Sequence, residues 1–250
     1  MAGSRARGAA QDPVRKPSVT LDALVDTALR VVESEGLDAL SMRRLADQFG
    51  VQAASLYWHV ANKEQVLDLL ADKLLAMALG EALPPAPTGA DGEETAWTEQ
   101  LRQVALSYRE FLLRHRDAAR IIAGRLVVGV NLAKLLEPIL AVLRAGGLDP
   151  HDAAYAVYGI IVYVQGFVLH ESSPLSALTT QGVGRADALR DARSAISALP
   201  VDEFPYVAES ADALTEPNLQ ERFLFGLDRL IEGMDAYAAR TNPTRDEDRS

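Results

Sequence analysis

The residues with the clearest chemistry stand close together near the start of the chain. Tyr57, Trp58 and His59 are consecutive, and Lys63 follows four residues later. Basic and hydrogen-bonding side chains around aromatic rings can hold a phosphate backbone. A hydrophobic core could take one of the two aromatic rings, but not both beside His59 on a helix of two turns. The stretch therefore predicts an exposed surface that contacts nucleic acid.

The residues around this stretch predict three short helices that position it. Apolar residues recur at helical spacing over 21–32, and Gly36 ends the pattern. A second helix begins after Ser41, a favourable N-cap residue, and ends at Gly50. The third helix is predicted over 52–60. Three such helices with a glycine turn before the third form a helix-turn-helix unit.

Packing of this unit around Leu24, Leu45, Val51 and Leu56 leaves a set of polar and aromatic side chains facing outward. The predicted DNA contacts are Arg43, Gln52, Ser55, Tyr57, Trp58, His59 and Lys63. Arg43 and Gln52 are the best candidates to read base edges.

The rest of the chain also has helical patterns and no convincing alternation of period two, so the predicted fold class is all-α. Further helices are predicted over 62–79, 97–114, 118–128, 132–145, 150–170, 185–199 and 219–239. The predicted organisation is a disordered basic arm (1–17), a DNA-binding domain (18–65), a helical body (66–240) and a disordered tail (241–250). The arm is either a solvated tail or an additional DNA contact.

Charge and composition restrict where a polyanion can bind. The net charge is −10, of which residues 1–63 contribute +1 and the remainder −11. An acidic body repels nucleic acid, so DNA contacts must come from the N-terminal part. The chain has no cysteine, which excludes disulfides, zinc–thiolate sites and iron–sulfur clusters.

One apolar segment, 153–169, tests the expectation of a cytoplasmic protein. It is shorter than the roughly 20 apolar residues of a membrane helix, and acidic residues flank it. A helix that is apolar all round is otherwise buried in a core or a subunit interface. We expect no membrane span and no export signal.

The run Leu56-Tyr57-Trp58-His59-Val60, followed by Asn62-Lys63, resembles the third helix and following turn of the TetR family of transcriptional repressors. Three body segments, 115–117, 166–169 and 223–227, occur in that family's order. The resemblance implies a homodimer that binds a palindromic operator and is released by a small molecule, with 66–240 as the ligand-binding and dimerisation domain. We predict that the dimer packs through 153–169 and 219–239. Ala53 stands at a base-reading position of the family, where it could touch only a thymine methyl group. A ligand-independent DNA binder or an activator is the alternative.

The resemblance also implies a ligand pocket in the helical body. The pocket positions hold Val104, Tyr108, Ile122, Arg125, Ile139, Val162, Gly166 and His170. Tyr108, Arg125 and His170 would be the polar anchors of an otherwise apolar site. Tetracycline-binding members use side chains that reach a Mg²⁺ ion, whereas this set offers almost no oxygen ligands. We therefore expect a mostly apolar effector, no metal and no cofactor.

Enzyme motifs are missing from the sequence. It contains no Gly-x-Ser-x-Gly elbow, His-Glu-x-x-His pair or phosphate loop, and the tripeptide at 115–117 lacks the other kinase motifs. The four histidines are too dispersed along the chain to indicate a metal cluster. We predict no catalytic residue.

Overall fold

The structure, a computed structural model, describes residues 19–81, 96–125, 127–172, 185–216 and 218–241. These residues form helices and connecting turns without a strand, which confirms the predicted all-α class. The helices are α1 (Leu21–Glu35), α2 (Met42–Phe49), α3 (Ala53–Leu56), α4 (Lys63–Glu81), α5 (Trp97–Arg114), α6 (Ala118–Ile122), α7 (Val130–Ala145), α8 (Pro150–Ser172), α9 (Arg185–Ser197), α10 (Pro205–Glu209), α11 (Ala211–Leu214) and α12 (Leu219–Thr241). A single 3₁₀ turn, Leu37–Ala39, joins α1 to α2.

The chain divides into two compact units, Met1–Leu70 and Ala71–Ser250, and the boundary falls within α4. We call the first unit the head and the second the body. The predicted arm (1–17) and most of the predicted tail (241–250) lie outside the described residues.

Local signals set the ends of the head helices as predicted. The Ser41 hydroxyl accepts a hydrogen bond from the Arg44 N–H at 3.1 Å and so caps the N-terminus of α2. Gly50 ends α2 in the left-handed conformation with φ 63°, which glycine adopts without a Cβ clash. Leu24, Leu45 and Leu56 are fully buried in the head core, whereas Val51 is half-buried.

The third helix is shorter than the predicted 52–60, because α3 ends at Leu56. The N–H groups of His59 and Val60 both donate to the Leu56 carbonyl, at 2.9 and 3.1 Å. This shared acceptor closes the chain into a tight turn instead of extending the helix. The turn returns Val60 to the core. The predicted helix 118–128 is also too long, since α6 ends at Ile122 and Gly124 takes φ 78°.

The body core lies where α5, α8 and α12 meet. Phe111, Val164 and Phe223 are fully buried there. The Tyr163 hydroxyl on α8 donates to the Phe223 carbonyl at 2.8 Å. Arg109 lies with its guanidinium 4.7 Å from the Phe223 ring centre and pairs with Glu171 at 2.8 Å. Charge pairing and ring contact together satisfy this buried cation.

Helix α8 contains the apolar segment 153–169. By length and composition alone it is the one helix in the described ranges that could cross a membrane. A third of its most apolar 18-residue stretch is buried within the chain. Tyr155, Tyr158 and Val162 are exposed on it. Within one chain, α8 is therefore buried on one side only.

Candidate DNA-binding surface and ligand cavity

The aromatic side chains of the segment between α3 and α4 are exposed to solvent. Trp58 is 89% exposed and Tyr57 is 54% exposed, and His59 is also exposed. Leu56 and Val60, at either side, are buried. Because these two anchors point into the head core, the tight turn between them must direct 57–59 outward.

The remaining predicted DNA contacts lie on the same head. Gln52 precedes α3 as its N-cap residue and is exposed, as is Ser55. Arg43 is exposed on the first turn of α2, while Ala53 and Lys63 are half-buried.

A reciprocal cap fixes the start of α4 and therefore the position of Lys63. The Asn62 side-chain oxygen accepts from the Gln65 N–H at 2.9 Å, and the Gln65 side-chain oxygen accepts from the Ala61 N–H at 2.6 Å. This arrangement resembles a capping box, which satisfies amides that a helix N-terminus leaves unpaired. Lys63 is the first residue of the capped helix.

Two adjacent arginines on α2 have different environments. Arg44 pairs with Glu35, its Nη2 lying 2.5 Å from a carboxylate oxygen, and this hydrogen bond lowers the pKa of Glu35. Within the described residues Arg43 has no side-chain hydrogen bond or ion pair. Arg43 is therefore the arginine of the two that is available to a ligand such as DNA.

The body contains a cavity of about 420 Å³ with a largely aliphatic wall. A cavity of this size and lining is typical of small-molecule sites. The lining residues are Leu75, Val104, Ala105, Tyr108, Ile122, Gly124, Arg125, Val127, Leu132, Leu135, Leu136, Ile139, Val157, Tyr158, Ile160, Ile161, Val162 and Gln165.

The structure places most of the predicted pocket residues on this wall and two of them elsewhere. Those on the wall are Val104, Tyr108, Ile122, Arg125, Ile139 and Val162. Gly166 and His170 are exposed on α8 and do not line the cavity. Gln165 is the last residue along α8 that lines the cavity, and His170 lies more than one helical turn further on, at about 1.5 Å per residue. His170 is therefore not a polar anchor of this cavity.

Sequence reasoning missed the polar partner of Tyr108. Gln165 lines the cavity, and its side-chain Nε2 donates to the Tyr108 hydroxyl oxygen at 2.8 Å. Burial raises the pKa of Tyr108 from its ordinary 10 to about 12, because burial disfavours the charged phenolate. Gln165 is the one amide in the apolar segment 153–169, and that isolation is the signal that could have identified it.

One surface cluster combines metal-ligating side chains. Asp149, His151 and Asp152 lie together at the start of α8, and none of them lines the cavity. The lining residues named above include no carboxylate. A hard divalent ion would therefore find few protein oxygen ligands in this wall.

Comparisons with known proteins match both units. The sequence model described as "Bacterial regulatory proteins, tetR family" matches residues 24–70, and the one described as "Tetracyclin repressor-like, C-terminal domain" matches residues 88–238. The tetracycline repressor protein class D of Escherichia coli is 29% identical over 214 residues, which cover 86% of this chain and 88% of that protein.

Solved structures are similar over nearly the same range. Apo ActR from Streptomyces coelicolor has 35% identity and a TM-score of 0.74, with 89% of this chain and 98% of that chain covered. ActR in complex with actinorhodin has 33% identity and a TM-score of 0.75, with the same coverage.

These matches confirm the resemblance of the head and the body to one family, whose named relatives are transcriptional regulators and not enzymes. The head carries a helix-turn-helix with an exposed aromatic and basic segment, and the body carries an apolar cavity. The chain therefore belongs to the TetR family and is a ligand-responsive transcriptional repressor.

Proposed function

We propose that the protein acts in the cytoplasm as a homodimer, binds a palindromic operator through its two heads, and dissociates when a mostly apolar effector fills the body cavity. The observation that carries the DNA-binding part is the outward display of residues 57–59 between the buried anchors Leu56 and Val60. Such a surface has no role in the head core, and DNA supplies the phosphates and base edges that it can contact.

Different side chains would contact the DNA backbone and the DNA bases. The phosphates would be held by Lys63, Tyr57, Trp58 and His59. The base edges would be read by Arg43 and Gln52. A good base contact contributes about 1–3 kcal/mol of discrimination. Ala53 would allow contact with a thymine methyl group only.

A footprint and a salt titration test this assignment. Lys63→Ala should weaken binding to all sequences alike and reduce the slope of log affinity against log salt by about one. Lys134→Ala, which removes an exposed lysine from α7 in the body, is the matched control and should change neither quantity. Unchanged affinity of an Arg43→Ala/Lys63→Ala double variant would contradict the proposal.

An exposed apolar face supports the proposed dimer. Tyr158 on α8 is 69% exposed and Phe225 on α12 is 67% exposed. Both lie in the segments 153–169 and 219–239 that the sequence predicts to form the interface. Extended apolar surface of this kind marks protein–protein contacts, and obligate dimer interfaces resemble a protein core.

Substitutions at exposed positions test the dimer without destroying the core. Phe225→Asp should give a folded monomer with no tight operator binding, because a charge would be buried in the interface. Tyr206→Asp, at another exposed aromatic residue of the body, should leave the dimer intact. Light scattering that finds a wild-type monomer at micromolar concentration would refute the dimer. Val164 and Phe223 are unsuitable probes, since both are fully buried within one chain.

The cavity wall supports a mostly apolar effector. Aliphatic residues from α5, α7 and α8 dominate it, and the ActR–actinorhodin complex shows an organic molecule bound to a similar protein. Helix α4 contributes Leu75 to the wall and begins at Lys63 in the head, so it is the proposed lever. Coupling between effector and operator of about 1–3 kcal/mol would change operator affinity roughly 5–150-fold.

A release titration tests the effector class. Tetracycline should not release the protein from DNA in the presence of Mg²⁺, because the described lining residues include no carboxylate and His170 is not among them. The same titration with EDTA is the control. Release by tetracycline that requires Mg²⁺ would contradict this assignment and leave the DNA-binding surface unaffected.

A further inference from the structure

Tyr108 and Gln165 form a polar pair in a cavity whose wall is otherwise mainly aliphatic. The Gln165 Nε2 donates to the Tyr108 hydroxyl oxygen at 2.8 Å. The Tyr108 oxygen accepts this bond, so its own proton is available to a second acceptor. The Gln165 carbonyl oxygen is likewise available to a donor. Within the described residues, neither group has another hydrogen-bond partner.

These two open positions would make the cavity selective. An apolar ligand that displaces water from the pair leaves a buried donor and a buried acceptor without partners. Each such group keeps its full desolvation penalty, because no new hydrogen bond offsets it. Sites built to hydrogen-bond a ligand reject analogues that lack the matching group far more strongly than apolar sites reject a change of size.

The charges around the cavity disfavour an ionised ligand. The Tyr108 phenol is neutral at pH 7, as phenols ordinarily are, and burial raises its pKa further to about 12. The lining residues include no carboxylate that could pair with a cation. Arg125 is the one cation among them, and it already takes part in another interaction. An ion without a dedicated partner is expensive to transfer from water into such a site.

We infer that Tyr108 and Gln165 determine the specificity of the cavity for a neutral, mostly apolar molecule that carries a hydrogen-bond acceptor beside a donor, as a carboxamide or a lactam does. The ligand acceptor would receive the Tyr108 hydroxyl proton, and the ligand donor would bind the Gln165 carbonyl oxygen. This inference rests on the proposed role of the cavity as the effector site.

Calorimetric titration with probes that share one ring system tests the inference. Naphthalene-2-carboxamide carries the acceptor–donor pair, 2-ethylnaphthalene carries neither group, and naphthalene-2-carboxylate carries a charge. Tyr108→Phe and Gln165→Leu should each weaken binding of the carboxamide about tenfold, the loss of one net hydrogen bond at a buried site. The same variants should change the affinity for 2-ethylnaphthalene less than twofold or increase it.

Two controls keep the result interpretable. Tyr206→Phe removes the hydroxyl of an exposed body tyrosine that does not line the cavity, and it should leave the affinity for all three probes unchanged. The double variant Tyr108→Phe/Gln165→Leu removes both polar partners together, so it leaves no unpaired group that could destabilise the fold. It should bind 2-ethylnaphthalene at least as tightly as the wild type.

Several outcomes would overturn the inference. Equal changes in affinity for the carboxamide and the hydrocarbon would show that the pair only shapes the cavity. Tighter binding of the carboxylate than of the carboxamide would exclude a neutral ligand. Leu135→Trp, which fills the cavity, tests whether 2-ethylnaphthalene binds there. If this variant abolishes binding of 2-ethylnaphthalene, the two outcomes above overturn the specificity of the pair but leave the proposed effector role of the cavity intact. Failure of the wild type to bind any of the probes would overturn the cavity assignment as well.

Discussion

The head and the body place their aromatic and polar side chains in opposite directions. In the head, Trp58 and Tyr57 face solvent from a tight turn. In the body, Phe111 and Phe223 are fully buried, and the Tyr108 hydroxyl meets Gln165 at a cavity wall. A long, charged ligand such as DNA can be reached only by side chains that point outward. A small apolar ligand is held only by side chains that enclose it. The direction of exposure therefore separates the two functions of one chain.

The two regions also differ in how far apart along the chain their parts lie. The anchors Leu56 and Val60 that expose the head surface are four residues apart. Tyr108 and Gln165, which form the polar pair of the cavity, lie on different helices, α5 and α8. The head surface follows from one turn, whereas the cavity needs the packing of several helices.

The largest effect on stability is expected when a buried aromatic side chain is removed and an exposed one is removed for comparison. Phe223→Ala should lower the free energy of unfolding by about 3–5 kcal/mol, because it leaves a cavity in the body core. Trp58→Ala should change that free energy by less than about 0.5 kcal/mol and instead weaken operator binding. Urea unfolding followed by circular dichroism, combined with operator titration, measures both. If Trp58→Ala unfolds the head, the contrast between the regions is wrong.

Packing between α8 and α12 provides a second test in the body. A Cβ at Gly226 would collide with the Tyr163 hydroxyl, whereas a Cβ at Gly233 on the same helix would meet open space. Gly226→Ala should therefore destabilise the protein by about 1–3 kcal/mol through overpacking. Gly233→Ala should stabilise it by up to about 1 kcal/mol, since alanine is the better helix former. Similar stabilities of the two variants would contradict the close packing of Tyr163.

A smaller effect is expected where local signals shape the head. Ser41→Ala removes the cap of α2 and should cost about 1 kcal/mol of head stability. Ser194→Ala on the exposed face of α9 is the matched control and should have no measurable cost. Thermal unfolding of both variants gives the comparison. Equal melting temperatures would show that the cap is dispensable and that the helix depends on core packing alone.

The smallest effect concerns pH. The hydrogen bond from Arg44 lowers the pKa of Glu35 below its usual 4.5. The pair therefore contributes stability above about pH 4.5, and this contribution is lost as the pH falls through the lowered pKa. The melting temperature of the wild type should exceed that of Glu35→Gln slightly at pH 7, and the two should converge toward pH 3. Both groups are exposed, so the difference is small. A difference that grows on acidification would reverse the assigned sign.

Residue patterns alone predict the helical fold class, the family resemblance and the ends of α2 in the head. Ser41 caps α2 and Gly50 ends it as predicted, because caps and glycine turns act over a few residues. These patterns do not determine the length of the third helix. That helix ends at Leu56, where two amides share one carbonyl and Val60 is drawn into the core.

The set of body side chains that enclose the cavity depends on how distant helices pack. This packing places Gln165 on the wall and leaves Gly166 and His170 outside, although all three lie within six residues of one apolar helix. It also buries one side of α8 and exposes Tyr158 on another. The sequence of α8 is apolar almost all round, so its periodicity does not specify how the helix is rotated. That rotation is set by contacts with α5 and α12, which are distant along the chain and meet α8 only in the folded body.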